Sequence, residues 1–192
     1  MIELEESMMS EVNLNKQSKA SLLAKMGMMV AISIVLVTFI HFPIFPVVGF
    51  LEYDPADIPI LIGTFAFGPL GGLVMTVVTS VIQGLTVSAQ SGPYGIIMHI
   101  IATGTFVLVA GLIYRNHKSK KKAIIALIAG VLAMTAIMLP ANLIITPIFM
   151  GLPRDAVVAL LPFILAFNFV KAGINAVITF FLYKRISRFL HR

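Results

Sequence analysis

A lysine sits where a membrane-spanning helix should be neutral. Residues 156–183 carry one formal charge, Lys171, about eleven residues into a span expected over 160–183. An ammonium at that depth costs at least ~2.5–3.5 kcal/mol on an insertion scale, so an ionisable group there is read as functional by default. Asn168, Lys171 and Asn175 follow i, i+3, i+7 spacing and share one helix face. The competing reading is a structural lysine bonded to carbonyls inside a helix bundle. Three more polar groups stand inside apolar stretches: Gln83, His99 and Asn142. Each alone is as readily an interhelical hydrogen bond as a ligand contact. Asn142 follows Pro140, whose ring removes a backbone bond and frees a carbonyl. The chemistry on offer is recognition by hydrogen bonds. The chain has no Walker A pattern (GxxxxGK[ST]), no HExxH and no cysteine. Its four histidines are scattered, and no buried acid or intramembrane carboxylate pair is evident. The sequence therefore reads as a binder without its own engine.

These residues must be held by membrane helices. The chain is 59% hydrophobic and 11% charged, against roughly 25% charged for soluble domains, and its mean hydropathy is +1.01. Residues 26–51, 58–114 and 123–153 carry no charge. The net charge of +6 does not imply nucleic acid, because the cations cap apolar spans. Twelve of the fourteen basic residues fall in three clusters: Lys16 to Lys25, Arg115 to Lys122, and Lys184 to Arg192. By the positive-inside rule these are cytoplasmic. The acidic segment with Glu52, Asp54 and Asp57, and the Arg154 turn, are then outside.

Parity requires an odd number of crossings between Asp57 and Arg115, and three fit. Turns at Gly68-Pro69-Leu70-Gly71-Gly72 and at Ser88 to Gly95 divide them. The expectation is an all-α integral membrane bundle of six transmembrane helices, over 20–40, 57–68, 71–88, 94–114, 123–148 and 160–183, with both termini cytoplasmic. The second span is short and must be tilted or shielded; Asp57 is expected to cap its N-terminus. Residues 1–18 read as a flexible tail and 19–192 as one substrate-binding domain.

On this topology the amides and the lysine converge in the outer half, while the inner half offers mainly Ser and Thr. That describes a cup open to the outside. The first outer loop, HFPIFPVVGFLEYDPA at 41–56, is apolar and aromatic before it turns acidic. It is either an interfacial belt or a lid over the cup, with Pro43, Phe45 and Val47 as walls and Glu52 and Asp54 as a polar edge. Ala20, Ala24, Gly27 and Ala31 form a stripe of small residues on the first helix. Such a stripe lets another helix approach closely, either within the bundle or from a partner.

Three segments together carry a family resemblance: Glu52 to Pro59 (EYDPADIP) with the turn Phe67 to Gly72, Gly104 to Arg115, and Phe167-Asn-Phe-Val-Lys171. Over residues 20–190 the chain resembles the substrate-binding S components of energy-coupling factor (ECF) vitamin transporters, specifically the riboflavin-binding kind. The resemblance implies six helices and capture of riboflavin from outside under the first loop, with no cofactor required. It also implies docking on a transmembrane coupling protein that carries two ATP-binding subunits, in a bacterial plasma membrane. The helix 1 stripe would be the docking surface. Asn168 and Lys171 would anchor the ring edge, with Asn142 a looser match. Gln83, Asn142 or the loop carboxylates would meet the ribityl hydroxyls, and Tyr94 would also line the site. Three alternatives stay open: another vitamin such as thiamine, which Lys171 argues against; a membrane enzyme; and a subunit without a ligand.

Overall fold

In the computed structural model the backbone is described for residues 2–116 and 118–190. Side chains are described for 19–116, 118–183 and Arg185. The expected tail at 1–18 falls on side chains outside the described residues. Among the described residues there are six α-helices: α1 (Ile2–Phe39), α2 (Asp57–Phe67), α3 (Pro69–Leu85), α4 (Gly92–Arg115), α5 (Lys120–Met150) and α6 (Arg154–Leu190). Four segments are long and apolar enough to cross a bilayer: Lys19–Phe39, Ala89–Arg115, Lys120–Met150 and Arg154–Tyr183. The chain is a multi-pass membrane protein.

The two shorter helices form a hairpin about Gly68, whose φ of 88° is open to glycine and strained for other residues. Pro69 then starts α3 at a position where its missing N–H costs nothing. The short α2 is accommodated by shielding. Every residue from Asp57 to Phe65 is buried, and α2 touches α1, α3, α4 and α6. No lipid reaches its backbone, so it need not match the bilayer thickness.

The remaining boundaries follow local chemistry. Ser119 caps α5, accepting from the Lys122 backbone N–H at 3.2 Å, so this helix begins before the expected residue 123. It ends at Gly151 in the left-handed conformation, with φ 64°. Helix α6 begins at Arg154 rather than 160. Asp57 is not the α2 cap. The cap is Ala56, without a side-chain bond, and the Asp57 carboxylate turns inward.

Close helix approach depends on particular glycines. A Cβ at Gly111 would lie 2.9 Å from the Pro69 Cα and 2.9 Å from the Thr64 methyl, whereas one at Gly27 would meet nothing within 4 Å. Gly111→Ala is therefore expected to destabilise the bundle by about 1–3 kcal/mol through overpacking. Gly27→Ala should gain about 0.5–1 kcal/mol of helix propensity. Thermal unfolding in detergent, followed by circular dichroism, separates the two.

Candidate functional site

The first loop reaches into the bundle. Strands β1 (Phe42–Pro43) and β2 (Glu52–Tyr53) pair antiparallel, joining Phe42 to Tyr53 and Pro43 to Glu52. Between them a short 3-10 turn, Pro46–Val48, buries Val48 against Val157 and Ile164 of α6. The pinned loop then descends. From Tyr53 onward the chain is buried, and Asp57 meets Thr103 at the midpoint of α4.

That descent brings two carboxylates into the interior. Lys171 Nζ donates to Asp54 Oδ2 at 2.6 Å, with side-chain exposures of 10% and 6%. The other Asp54 oxygen accepts the Ala56 backbone N–H at 3.0 Å. Asp57 is fully buried. It accepts from Thr103 at 2.8 Å and from the Asn175 amide at 3.2 Å, and lies 3.2 Å from His99 Nε2. Asn175 joins the pieces, since its amide also donates to the Asp54 carbonyl at 3.2 Å and its oxygen accepts from Tyr53 at 3.1 Å. A buried charge requires such pairing. The expectation that the chain lacks a buried acid is thus corrected. The acids enter from a loop, and hydropathy placed that loop in water.

His99 Nδ1 lies 2.9 Å from Ser80 Oγ, which makes a Ser80–His99–Asp57 line. The sequence had suggested that such a line lacked its acid. Ser80 also donates to the Thr76 carbonyl at 2.7 Å, so its proton is shared with its own helix.

Above this network lies a cavity of about 150 Å3 that opens to the surface. Glu52, Asp54, Ser80, Gln83, His99, Asn168 and Lys171 line its polar side. Phe50, Leu51, Met98, Met134, Met138 and Phe167 line the apolar side. A second hollow shares Phe50, Leu51, Ser91, Gly95, Met98 and Met138 with the first, and adds Tyr94, Asn142 and Phe149. The Tyr94 and Phe149 rings lie 5.7 Å apart. The two hollows adjoin along the residues they share, and the first carries most of the polar side chains.

Of the expected site residues, Glu52, Asp54, Gln83, Asn168 and Lys171 line the first hollow, and Tyr94 and Asn142 the second. Pro43 and Val47 are exposed, and neither they nor Phe45 line either hollow. Phe45 packs instead on the Val48 cluster. The loop's apolar walls are Phe50 and Leu51, which sequence reading missed. No local signal distinguishes them from Phe45, because the reversal at the β hairpin decides which aromatic faces inward. Lys171 gives one of its three N–H donors to Asp54 and lines the cavity. Asn168 donates to the Ile164 carbonyl at 2.8 Å. Asn168 lines the cavity. Gln83 Oε1 is buried with no partner among the described residues. An unmet amide oxygen at the cavity lining calls for an N–H or O–H donor.

Residues 21–183 match the family described as ECF transporter, substrate-specific component. The chain belongs to that family. An S component is the substrate-binding part of a transporter and not an enzyme, so the Ser80–His99–Asp57 line is a structural polar relay here. Among relatives, this S component is 31% identical over 186 residues to the riboflavin transporter RibU of Staphylococcus aureus (strain TCH60), covering 93% of this chain and 96% of that one. It is 27% identical over 128 residues to the riboflavin transporter FmnP of Bacillus subtilis (strain 168), covering 66% and 67%. A solved structure described as the S component of a bacterial ECF transporter superposes with a TM-score of 0.77 at 31% identity, covering 91% of this chain and 99% of that one.

The four small residues of α1, Ala20, Ala24, Gly27 and Ala31, are all exposed. Packing within the bundle, one of the two readings of this stripe, is not what occupies them.

Proposed function

We propose that this S component captures riboflavin from the outside of a bacterial plasma membrane and hands it to an ECF module. That module is a transmembrane coupling protein with two ATP-binding subunits, which supplies the energy. The observation that carries the reading is the cleft of two adjoining hollows. The apolar and aromatic lining, Phe50, Leu51 and Met138 with Tyr94 and Phe149, suits a flat tricyclic ring. Ribityl hydroxyls and the ring imide are donors suited to the unmet oxygen of Gln83 and to the Asn168 amide. The names of the relatives support the same ligand.

The basic ends of α1, α4, α5 and α6 support a cytoplasmic position for both termini, with the cleft opening on the other side. Phe50, Leu51 and Glu52 then act as a lid anchored by Val48. The exposed stripe on α1 is the docking surface for the coupling protein. Thiamine is not favoured. The ground is the relatives' ligand rather than Lys171, whose charge Asp54 offsets.

Purification in detergent tests the ligand. The preparation is expected to be yellow, with a flavin absorption spectrum; a colourless preparation that also fails to take up added riboflavin rejects it. Asn168→Ala is expected to weaken riboflavin binding about tenfold, the ~1.4 kcal/mol of one hydrogen bond in a dry site. Titration of flavin fluorescence measures it.

A further inference from the structure

Another hollow shares no lining residue with the vitamin cleft. Helices α5 and α6 part at one end to leave a groove of about 1,130 Å3, open space included, and every residue lining it is apolar. Its floor is Gly173, where an added Cβ would meet nothing within 4 Å. Ile124 and Ile128 form one wall, and Val177 and Phe181 the other. The α6 wall runs from Phe169 to Phe181, about 18 Å at 1.5 Å per residue. That is close to one leaflet of a ~30 Å hydrocarbon core.

The groove ends among cations supplied by both helices. Lys120 and Lys121 stand four and three residues before Ile124, on its helix face, and Arg185 stands four after Phe181 on its face. All three are exposed. No acidic residue opposes them on either helix, since α5 has none and α6 has only Asp155 at its far end. An acyl-length apolar slot that opens between cations from two helices is complementary to one class of molecule.

We infer that the α5–α6 groove binds one anionic phospholipid, its acyl chain over Gly173 and its phosphate among Lys120, Lys121 and Arg185. Basic pockets between membrane helices take acidic headgroups in this way. The bilayer supplies the ligand, so no additional protein is needed. The site is separate from the vitamin cleft and does not rest on the identity of the vitamin.

The test uses the whole chain purified in detergent and incubated with equal amounts of dioleoyl phosphatidylglycerol and dioleoyl phosphatidylcholine. Retained lipid is counted by native mass spectrometry. The wild type is expected to keep one phosphatidylglycerol, with about tenfold preference over phosphatidylcholine. Lys120→Ala/Lys121→Ala/Arg185→Ala should bring the two lipids to equal retention. Gly173→Leu, which fills the floor, should lose both. The alanine variant alters only exposed side chains, and its unfolding midpoint provides the folding control. Equal retention of the two lipids by the wild type overturns the assignment. So does an undiminished preference in the alanine variant, or unchanged occupancy in Gly173→Leu.

Discussion

Lys171→Met is expected to destabilise the bundle by roughly 3–5 kcal/mol, and Asp54→Asn/Lys171→Met to restore most of that loss. The asymmetry follows from burial. Asp54 is 4% exposed, and among the described residues its only charge-compensating bond is the 2.6 Å contact from Lys171. Without the ammonium a carboxylate remains in the interior beside a second one, Asp57. Replacing both partners leaves an amide that still offers its oxygen to the Ala56 N–H, and no net charge. The loss should reach ligand binding too, because Asp54 ends the loop whose Phe50 and Leu51 wall the cleft. Thermal unfolding in detergent, with and without riboflavin, reads both effects. A Lys171→Met midpoint equal to that of the wild type would show that the pair contributes nothing.

Gly27→Trp and Ala31→Trp are expected to abolish riboflavin uptake by cells while leaving binding in detergent within about twofold. Both positions are exposed, and Gly27 has open space where its side chain would stand, so an indole is accommodated in the isolated chain. A coupling helix approaching a stripe of small residues would meet the ring instead. Close backbone approach is what such stripes permit, and a single large side chain removes it. Uptake is measured with radiolabelled riboflavin in cells that depend on this chain. Binding is measured on the purified variants. Uptake at wild-type level, or binding lost together with uptake, would contradict a partner surface on α1.

The architecture was largely legible because charge and hydropathy act over whole spans. The Gly68 turn, the start of α2 at Asp57 and the end of α4 at Arg115 are all set by local chemistry, and sequence reading places them correctly. The polar face of α6 was legible for the same reason. Asn168, Lys171 and Asn175 share a helical spacing and are all buried.

The site was legible from one side only. Lys171 is conspicuous in an apolar run, but its partner Asp54 lies 117 residues away in a segment that scores as an outer loop. No window-based reading can tell an acidic loop in water from one that dips to the middle of a bundle. The same blindness made Asp57 an N-cap and left the Ser80–His99–Asp57 line without its acid. The aromatic walls failed differently. Phe45 and Phe50 are alike in type and neighbourhood, and only the pairing of Phe42 with Tyr53 and the anchoring of Val48 on α6 turn the second one inward.

Capture depends on a flavin held between the first loop and α6. Equilibrium titration of riboflavin into the purified, flavin-free chain in detergent tests this most directly, with ATP absent and thiamine run in parallel. The prediction is saturable quenching of flavin fluorescence at one equivalent per chain and no saturable signal with thiamine. A monodisperse chain with a cooperative unfolding transition that binds no riboflavin, or binds thiamine as well, would contradict it.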